Sequence, residues 1–408
     1  FYTFTLDEWV YTLDYTREKL LQHFEVQTLK GFGVEELELA QIASGAILHY
    51  LETTENKNLR HISTISRVQP ERYVWLDRFT IRNLELLFSP HESGVPLIKV
   101  LDQTVSPMGA RLLKKWVVLP LKSKPAIESR LDMVQHFIDH PELAGELEQF
   151  IRQMGDLERL ISKVPLGKIN PREVRQLRRA LQAIIPVKGL LEESSNDHLV
   201  KIADGLNPCP ALIDLIGRQI IEDPPVNLNK GGVIADGFNE ELDDLRSTVK
   251  NAQELLEDIQ REESARTGIN SLKVGFNSVF GYYLEVTNKY KKQVPPEWAR
   301  KQTLTNSERY ITEELKKLEA KILGAQERML ELEQRLYEKL IFDLSDYIQP
   351  VQYNAGLVAR LDCLLSFARI AQKNQYCRPE IDEDYALDIK AGRHPVIEQH
   401  LELGEAYV

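Results

Sequence analysis

Cysteine, methionine and tryptophan are scarce in this sequence of 408 residues, and long apolar runs are absent from it. The three cysteines, Cys209, Cys363 and Cys377, are too few and too irregularly spaced for a disulfide framework or a zinc site. They favour a reducing, cytoplasmic compartment. Because no apolar run approaches the roughly 18 residues of a membrane helix, we expect no membrane partner. The chain starts at Phe1 without a methionine, and we expect it to be a piece of a longer protein.

The sequence also lacks the glycine-rich loop G-x-x-x-x-G-K-[ST] that cradles nucleotide phosphates. Gly167-Lys168 is followed by Ile169 and has no glycine at the earlier position. Gly31-Phe32-Gly33 has no third glycine and predicts only a turn into the next helix. We therefore expect that this chain does not hydrolyse ATP.

The histidines predict neither a catalytic centre nor a metal site. His136 and His140 lie four residues apart and could share a helix face. No third ligand of a suitable type stands nearby, so ordinary helix residues are predicted. His394 has no serine or cysteine nucleophile motif with it, which predicts a structural role near the end of a strand.

The one charge anomaly is the stretch from Lys273 to Arg309. It holds seven basic and three acidic residues, a net charge of +4, whereas the whole chain carries −11. The run VGFNSVFGYYLEV, from Val274 to Val286, is β-branched and aromatic, and it predicts a small β unit between two helical arms. A compact basic patch on an acidic chain is typical of a local nucleic-acid contact.

The two arms have the apolar spacing of packed helices, with intervals of three and four residues. At 1.5 Å per residue, arms of this length would reach roughly 35 to 45 Å, long enough to act as a lever. We expect two antiparallel helices joined along a coiled-coil-like stripe. The stripe comprises Leu242, Leu245, Val249, Ala252, Leu256 and Ile259 in the first arm, and Leu315, Leu318, Ile322, Ala325, Met329, Leu332 and Leu336 in the second.

Before the arms, the sequence is mainly helical. A helix from Ser106 to Pro120 has a capping residue, a proline at its first position and a proline that ends it. Other helices are predicted over 34–51, 125–140, 142–164, 171–185, 210–221 and 354–374, and strands from His61, Tyr73 and Tyr385. Four arginines, Arg172, Arg175, Arg178 and Arg179, form a basic helix face that we interpret as a solvated surface rather than a phosphate contact.

Seven sequence motifs, in the order in which they occur, resemble those of the MutS family of bacterial DNA mismatch-recognition proteins. They are GFGVE at Gly31, LDQTVSPMGARLLKKW at Leu101, GDLERLISK at Gly155, GGVIADGFNEELDDLR at Gly231, LKVGFNSVFGYYLEV at Leu272, RKQTLTNSERYI at Arg300 and AGRHPVIEQ at Ala391. The resemblance covers nearly the whole chain. It implies a mainly α fold: a helical core and two long antiparallel lever helices carrying a small β-rich clamp, followed by a short β-containing C-terminal stub.

The resemblance also implies domain boundaries. The end of a connector domain would occupy 1–22, the helical core 23–238, the lever helices 239–263 and 313–341, the clamp 264–312, a return to the core 342–378, and the start of an ATPase domain 379–408. The family's mismatch wedge is a Phe-x-Glu motif in a separate N-terminal domain. The Phe-x-Glu found here, Phe238-Asn239-Glu240, lies at the root of the first arm, and we interpret it as a coincidence.

The family's clamp holds duplex DNA by its backbone. The DNA-binding residues implied by the resemblance are Lys273, Asn277, Lys289, Lys291, Lys292, Arg300, Lys301, Thr305, Asn306 and Arg309. Thr305 departs from the lysine of many members, and the pair Lys291-Lys292 is expected to replace that charge. Of the two aromatic residues Tyr282 and Tyr283, we expect one inside the clamp and one at its surface.

The remaining implications concern the longer protein. The resemblance implies a DNA-dependent ATPase that uses ATP and Mg²⁺, a homodimer, a MutL-type partner and a cytoplasmic, nucleoid-associated location. Tyr407 and Val408 stand where the family packs an aromatic-aliphatic pair on adenine, although a terminal dipeptide without that role is the alternative. Two further alternatives keep the fold, namely a MutS-related recombination protein and a coiled-coil scaffold that binds a protein partner through its tip.

Overall fold

The computed structural model describes residues 5–54, 59, 62, 64, 65, 70–277 and 281–400. The chain divides into two compact units. The first comprises Phe1–Ile169, Glu173–Ile216 and Ile341–Val408, and the second comprises Asn170–Arg172 and Gly217–Leu340. Helices dominate and one small antiparallel sheet accompanies a long helix pair, so the predicted mainly α fold is confirmed.

The helices and strands have the following bounds. The α-helices are α1 (Leu13–His23), α2 (Glu38–Thr53), α3 (Arg78–Asn83), α4 (Leu97–Leu101), α5 (Pro107–Val118), α6 (Lys124–Asp139), α7 (Pro141–Met154), α8 (Leu157–Ser162), α9 (Pro171–Glu192), α10 (Asp197–Gly205), α11 (Pro210–Gln219), α12 (Glu240–Thr267), α13 (Glu313–Leu344) and α14 (Ile348–Asn374). The strands are β1 (Lys273–Asn277), β2 (Gly281–Thr287), β3 (Ala299–Thr303) and β4 (Ser307–Ile311). Short 3-10 helices cover Glu8–Tyr11, Lys30–Phe32, Pro70–Arg72, Leu228–Lys230, Asn288–Gln293, Ser345–Tyr347 and Ile397–Gln399.

In the first unit, α5 begins as its sequence predicts. The Ser106 hydroxyl accepts a hydrogen bond of 3.0 Å from the Gly109 amide, and Pro107 occupies the first turn. The single helix predicted over 142–164 is wrong: Gly155, at a φ of 66°, separates α7 from α8. The predicted end of α9 at Ile185 is also wrong, since the helix continues through Pro186 to Glu192. Burial of Val187 and Leu191 offsets the cost of the proline there.

Three strand predictions have different outcomes. The strand expected from Tyr73 is reduced to a single bridge between Tyr73 and Leu121. The strand expected from Tyr385 is wrong, because the part of 379–400 that the structure describes holds only the 3-10 turn Ile397–Gln399. Tyr385 and Leu387 are exposed there, without a neighbouring strand. The stretch that starts at His61 lies largely outside the described residues.

Helix α14 is the centre of the first unit, where it packs against α5, α6, α7 and α8. Its Asp362 is 1% exposed and accepts hydrogen bonds from the Val105 amide at 2.9 Å, the Ser106 amide at 2.8 Å and the Ser106 hydroxyl at 2.5 Å. A Cβ at Gly109 would lie 2.1 Å from the Asp362 carboxylate, so only glycine fits. Burial outweighs these bonds and raises the pKa of Asp362.

The helix pair α12 and α13 forms most of the second unit. Asn239 caps α12 by accepting a hydrogen bond of 3.0 Å from the Leu242 amide, and Gly268 ends the helix in the left-handed conformation. The buried Glu333 holds the root of the pair. It accepts a hydrogen bond of 2.9 Å from Arg246 and one of 3.2 Å from the Val233 amide. Phe238-Asn239-Glu240 is therefore the start of a helix.

The predicted apolar stripe of the pair is buried or half-buried along its length. Leu245, Val249, Met329 and Leu336 are half-buried. The fully buried positions are Leu242, Ala252, Leu256, Ile259, Leu315, Leu318, Ile322, Ala325 and Leu332.

Only part of the predicted solvated arginine face of α9 is found, because Arg172 and Arg179 are exposed whereas Arg175 is buried and Arg178 is half-buried. Arg175 is 2% exposed, the Arg172 Nε donates to the Pro224 carbonyl at 2.9 Å, and the Arg178 Nε donates to the Ile213 carbonyl at 3.1 Å. Long arginine side chains reach backbone carbonyls of neighbouring segments here, so they hold loops in place.

Candidate nucleic-acid interface

The sheet at the end of the helix pair has the strand order β1-β2-β4-β3, with all neighbours antiparallel. We call these four strands the tip sheet. Because successive side chains alternate between faces, Leu284, Val286 and Tyr310 point into a core that includes Trp298 and the buried positions of α12 and α13. Tyr283, Glu285 and Arg309 belong to the opposite, outer face.

Side-chain hydrogen bonds join the tip sheet to both helices. Gln260 of α12 accepts a hydrogen bond of 3.2 Å from the Val274 amide of β1. Glu319 of α13 accepts one of 3.3 Å from the Tyr282 amide of β2. Gly281 has a φ of 77°, and a Cβ there would lie 1.9 Å from the Glu319 carboxylate. Glycine at this position is required both by the backbone and by the approach of Glu319.

Arg309 is held at the centre of the outer face. Its Nε donates to Glu285 at 3.2 Å, and its terminal nitrogen donates to the Gln302 side chain at 2.9 Å. The guanidinium carbon lies 4.2 Å from the ring centre of Tyr283. Gly275 stands opposite Tyr283, and a Cβ there would lie 2.7 Å from the ring. Arg309 is thus fixed within the sheet.

A second group of contacts surrounds Glu308, which is only 1% exposed. Its carboxylate lies 2.5 Å from the Lys291 ammonium and 3.4 Å from the Arg300 guanidinium, and it accepts a short hydrogen bond from the Tyr310 hydroxyl. Lys291 and the Tyr310 hydroxyl lower the pKa of Glu308. These hydrogen bonds outweigh the desolvation of the carboxylate. Burial is the main cause that raises the pKa of Tyr310 to about 12, and the hydrogen bond to Glu308 is the second cause.

The seven predicted cations therefore fall into two sets. The paired set, Lys291, Arg300 and Arg309, has carboxylate partners inside the sheet. The open set is exposed and has no acidic partner among the described residues: Lys273, Lys289, Lys292 and Lys301. Of the open set, the Lys289 ammonium lies 5.3 Å from the ring centre of Tyr290.

The three uncharged candidates lie at strand ends. Asn277 ends β1 opposite Gly281. Thr305 and Asn306 are exposed between β3 and β4. The Thr305 carbonyl accepts a hydrogen bond of 2.9 Å from the Asn288 side chain, and the Asn306 carbonyl accepts one of 3.1 Å from the Asn288 backbone amide. The lysine that Thr305 lacks was expected to be replaced by Lys291-Lys292, but Lys291 is bound to Glu308.

The sequence prediction missed the acidic residues of the stretch. Glu285 and Glu308 were counted only as charges, although each binds named cations of the sheet. The available signal was strand alternation, since Glu308 and Tyr310 are two residues apart on one strand and so share a face. Tyr282 and Tyr283 do face opposite sides, and both are half-buried.

Comparisons with known proteins decide the family. A family model described as MutS domain III matches residues 79–368, and one described as MutS domain II matches residues 3–63. The chain belongs to the MutS family.

Similar bacterial proteins carry the name DNA mismatch repair protein MutS. The one from Christiangramia forsetii is 53% identical over 405 residues, which is 99% of this chain and 46% of the relative. Those from Bacteroides fragilis and Flavobacterium johnsoniae are 52% and 51% identical over 408 residues, 100% of this chain and 47% of each relative. The chain thus spans about half the length of the MutS relatives it matches.

The Gly167-Lys168 pair does not form a phosphate-binding loop. The Gly167 and Lys168 amides donate to the Val164 and Lys163 carbonyls at 2.9 and 3.1 Å, so they close a helix end and are not presented to a phosphate. Tyr407 and Val408, the candidate adenine contacts, lie outside the described residues.

The histidine and cysteine candidates have ordinary surroundings. The rings of His136 and His140 stack at 4.1 Å, and the His136 Nε2 lies 3.0 Å from the Ser194 hydroxyl. No strand among the described residues ends near His394, whose Nδ1 accepts hydrogen bonds of 3.3 Å from the Val396 and Ile397 amides at a 3-10 turn. Within the described ranges, no group of three or more potential metal ligands occurs, and all three cysteines are free.

None of the described helices is long and apolar enough to cross a membrane.

Proposed function

We propose that the tip sheet is a clamp that holds duplex DNA through its backbone phosphates, without reading the base sequence. The observation that carries this proposal is the open set of four exposed lysines, which have no acidic partner in the described part of a chain whose net charge is −11. Phosphate contacts by lysine are sequence-independent, which suits a protein that must bind DNA of any sequence. The isolated chain should bind weakly, with a dissociation constant of about 10⁻⁴ to 10⁻⁶ M at physiological salt.

The paired set has a different role in this proposal. Lys291 and Arg300 neutralise the buried Glu308, and Arg309 is bound by Glu285 and Gln302 while its guanidinium stacks on Tyr283. A cation already bonded to a carboxylate gains less from a phosphate than a cation without such a partner does. The paired residues therefore shape the sheet, and the open lysines make most of the DNA contact.

Helices α12 and α13 would act as the lever that positions the clamp. Their 28 and 32 residues correspond to about 42 and 48 Å of helix. Their buried stripe and the Arg246–Glu333 contact favour motion of the pair as one body. A small rotation at the root would then produce a larger displacement of the tip sheet.

The test measures DNA affinity as a function of salt for two variants. In the first, Lys273, Lys289, Lys292 and Lys301 are all changed to Gln. In the second, the same charge is removed elsewhere by changing Lys99, Lys122, Lys201 and Lys373 to Gln; all four are exposed and without acidic partners among the described residues. The log-log salt slope of duplex binding should fall by about 3 to 4 in the first variant, at roughly 0.9 for each lost phosphate contact.

The control variant should keep a salt slope close to that of the unaltered chain, because only the long-range field of its charges is lost. Both variants should bind two duplexes of unrelated sequence with the same ratio of affinities. An equal loss of slope in the two variants would reject the tip sheet as the contact surface. Circular dichroism of each variant establishes that the helices remain intact.

For the longer protein, we propose the function named in its relatives, DNA mismatch repair. The proposal includes a homodimer, a MutL-type partner, a cytoplasmic, nucleoid-associated location, and coupling of the clamp to ATP and Mg²⁺ bound outside the described residues. It is supported by the family membership and by identities of 51 to 53%. Restoration of a low mutation rate in a bacterium that lacks its own mismatch-recognition gene would test it, using the complete gene with and without the four lysine changes.

A further inference from the structure

The first unit contains a cavity of about 450 Å³ that the DNA-binding proposal does not use. Its walls come from α5, α6, α14 and the segment that follows α14. Most of the lining is apolar and includes Trp116, Leu131, Val134 and Phe367. A volume of this size, with mainly apolar walls and a few polar groups, is typical of sites for small organic ligands.

Arg130 is the unusual polar group of this cavity. Its guanidinium carbon lies 3.5 Å from the ring centre of Trp116, and the side chain is half-buried. It has no carboxylate partner and no hydrogen-bonded partner among the described residues. Burial, followed by repulsion from Arg360, lowers the pKa of Arg130 to about 10. A half-buried cation without a counter-ion is costly, and an anion placed beside it would remove that cost.

The other polar groups of the lining are already satisfied. Arg378 is bonded to Glu128 and, at 2.8 Å, to Asp132. The Tyr376 hydroxyl donates to Glu398 at 2.9 Å. Within the described part of the chain, Arg130 is thus the one charged lining residue that lacks an acidic partner, which gives the cavity a single position for an anion.

We infer that this cavity binds a small organic anion with a flat apolar body and one carboxylate, the carboxylate bonded to Arg130 and the body packed against Trp116 and the apolar wall. The planar guanidinium can donate two parallel hydrogen bonds to a carboxylate. The ring of Trp116 covers one face of the guanidinium and leaves its edge for those bonds. The inference is independent of DNA binding, since none of these residues belongs to the tip sheet.

The experiment uses a matched pair of probes, 2-naphthoate and its neutral analogue 2-naphthamide. Binding to the full 408-residue chain is measured by calorimetry and by quenching of tryptophan fluorescence. The acid should bind about tenfold more tightly than the amide, which corresponds to one favourable charge-assisted bond pair. The variant Arg130→Met should lose this preference and bind both probes within about twofold of each other.

Three further variants separate the cavity from nonspecific binding. Arg130→Lys keeps the charge and should keep part of the preference for the acid. Lys115→Met removes an exposed cation of α5 that does not line the cavity, and it should leave both affinities unchanged. Val134→Trp fills the cavity and should abolish binding of both probes. Leu131→Phe fills less volume and serves if the tryptophan variant does not fold.

Several results would overturn the inference. One is equal affinity of the unaltered chain for the acid and the amide. Another is an undiminished preference for the acid in Arg130→Met. A third is naphthoate binding that persists when a folded variant has the cavity filled, because the probe would then occupy some other surface.

Discussion

Asp362 of α14 and Glu308 of the tip sheet are both 1% exposed, and the two regions stabilise their carboxylates in opposite ways. Asp362 is surrounded by backbone amides and a hydroxyl, without a cation, and its pKa is raised. Glu308 is surrounded by two cations and a phenol, and its pKa is lowered. A buried carboxylate therefore fixes a helix end in one region and forms ion pairs with cations in the other.

The difference shows what a count of charges along a sequence leaves out. In the first unit, the buried carboxylate has no effect on the surface because its partners are neutral. In the tip sheet, Glu308 binds Lys291 and Arg300, and in the proposed DNA interface this pairing makes them less available to a phosphate. Each prediction below tests one side of this comparison.

The largest effect is expected from Asp362→Ala. The change leaves the Val105 and Ser106 amides buried without an acceptor and removes the bond that orients the Ser106 cap. We expect the free energy of unfolding of the first unit to fall by about 3 kcal/mol, the cost of unsatisfied buried donors and a weakened cap. Urea unfolding followed by circular dichroism measures it. Asp362→Asn, which keeps one acceptor oxygen, should lose less; an equal loss would contradict this account of the contact.

An intermediate effect is expected from Glu308→Gln. The amide is neutral, so Lys291 and Arg300 become available to phosphate. The affinity for duplex DNA should rise, and the salt slope should steepen by up to about 1.8, or 0.9 for each released cation. The control is Glu297→Gln, which removes the same charge from an exposed residue whose partner Arg266 keeps a second carboxylate. If both variants steepened the slope equally, the pairing at Glu308 would not limit DNA binding.

The smallest effect is a difference in the sign of pH dependence. Glu308 has a lowered pKa, so its stabilising contribution is present above the ordinary value of 4.5 and is lost as the pH falls through the folded value. Asp362 has a raised pKa, so its ionisation costs stability above the folded value, and that cost disappears as the pH falls towards the ordinary value of 3.8.

Thermal unfolding from pH 7 to pH 3 measures both signs. For each variant, the unfolding midpoint of the variant is subtracted from that of the unaltered chain. This difference should decrease on acidification for Glu308→Gln and should increase for Asp362→Asn. Parallel pH curves for the two differences would remove the contrast between the regions.

Local sequence signals predicted the parts of the fold that depend on local chemistry. Ser106 and Pro107 marked the start of α5, and the spacing of leucines marked both arms. Predictions failed where tertiary packing overrides local preference. Pro186 remains inside a helix because buried neighbours offset its cost, and Arg175 is buried although its neighbours in sequence are also arginines.

The candidate site was predictable in position but not in detail. The basic, β-branched stretch predicted the small β unit that the tip sheet forms, and its seven cations lie in the strands or in the 3-10 helix between β2 and β3. The division into paired and open cations depends on Glu308 facing the core, and a glutamate in a short strand is far more often solvent-facing. The register of β3 against β4 brings Arg300 to that carboxylate, and Lys291 reaches it from the 3-10 helix between β2 and β3.

The attachment of the tip sheet to two different helices has a mechanical consequence. Strand β1 is fastened to α12 through Gln260, and its neighbour β2 is fastened to α13 through Glu319. Axial sliding of one helix past the other would shear β1 against β2 and would strain every hydrogen bond of that ladder at once. Rotation of the two helices together leaves the ladder unloaded. The sheet therefore resists axial sliding of the two helices past each other but does not resist their joint rotation.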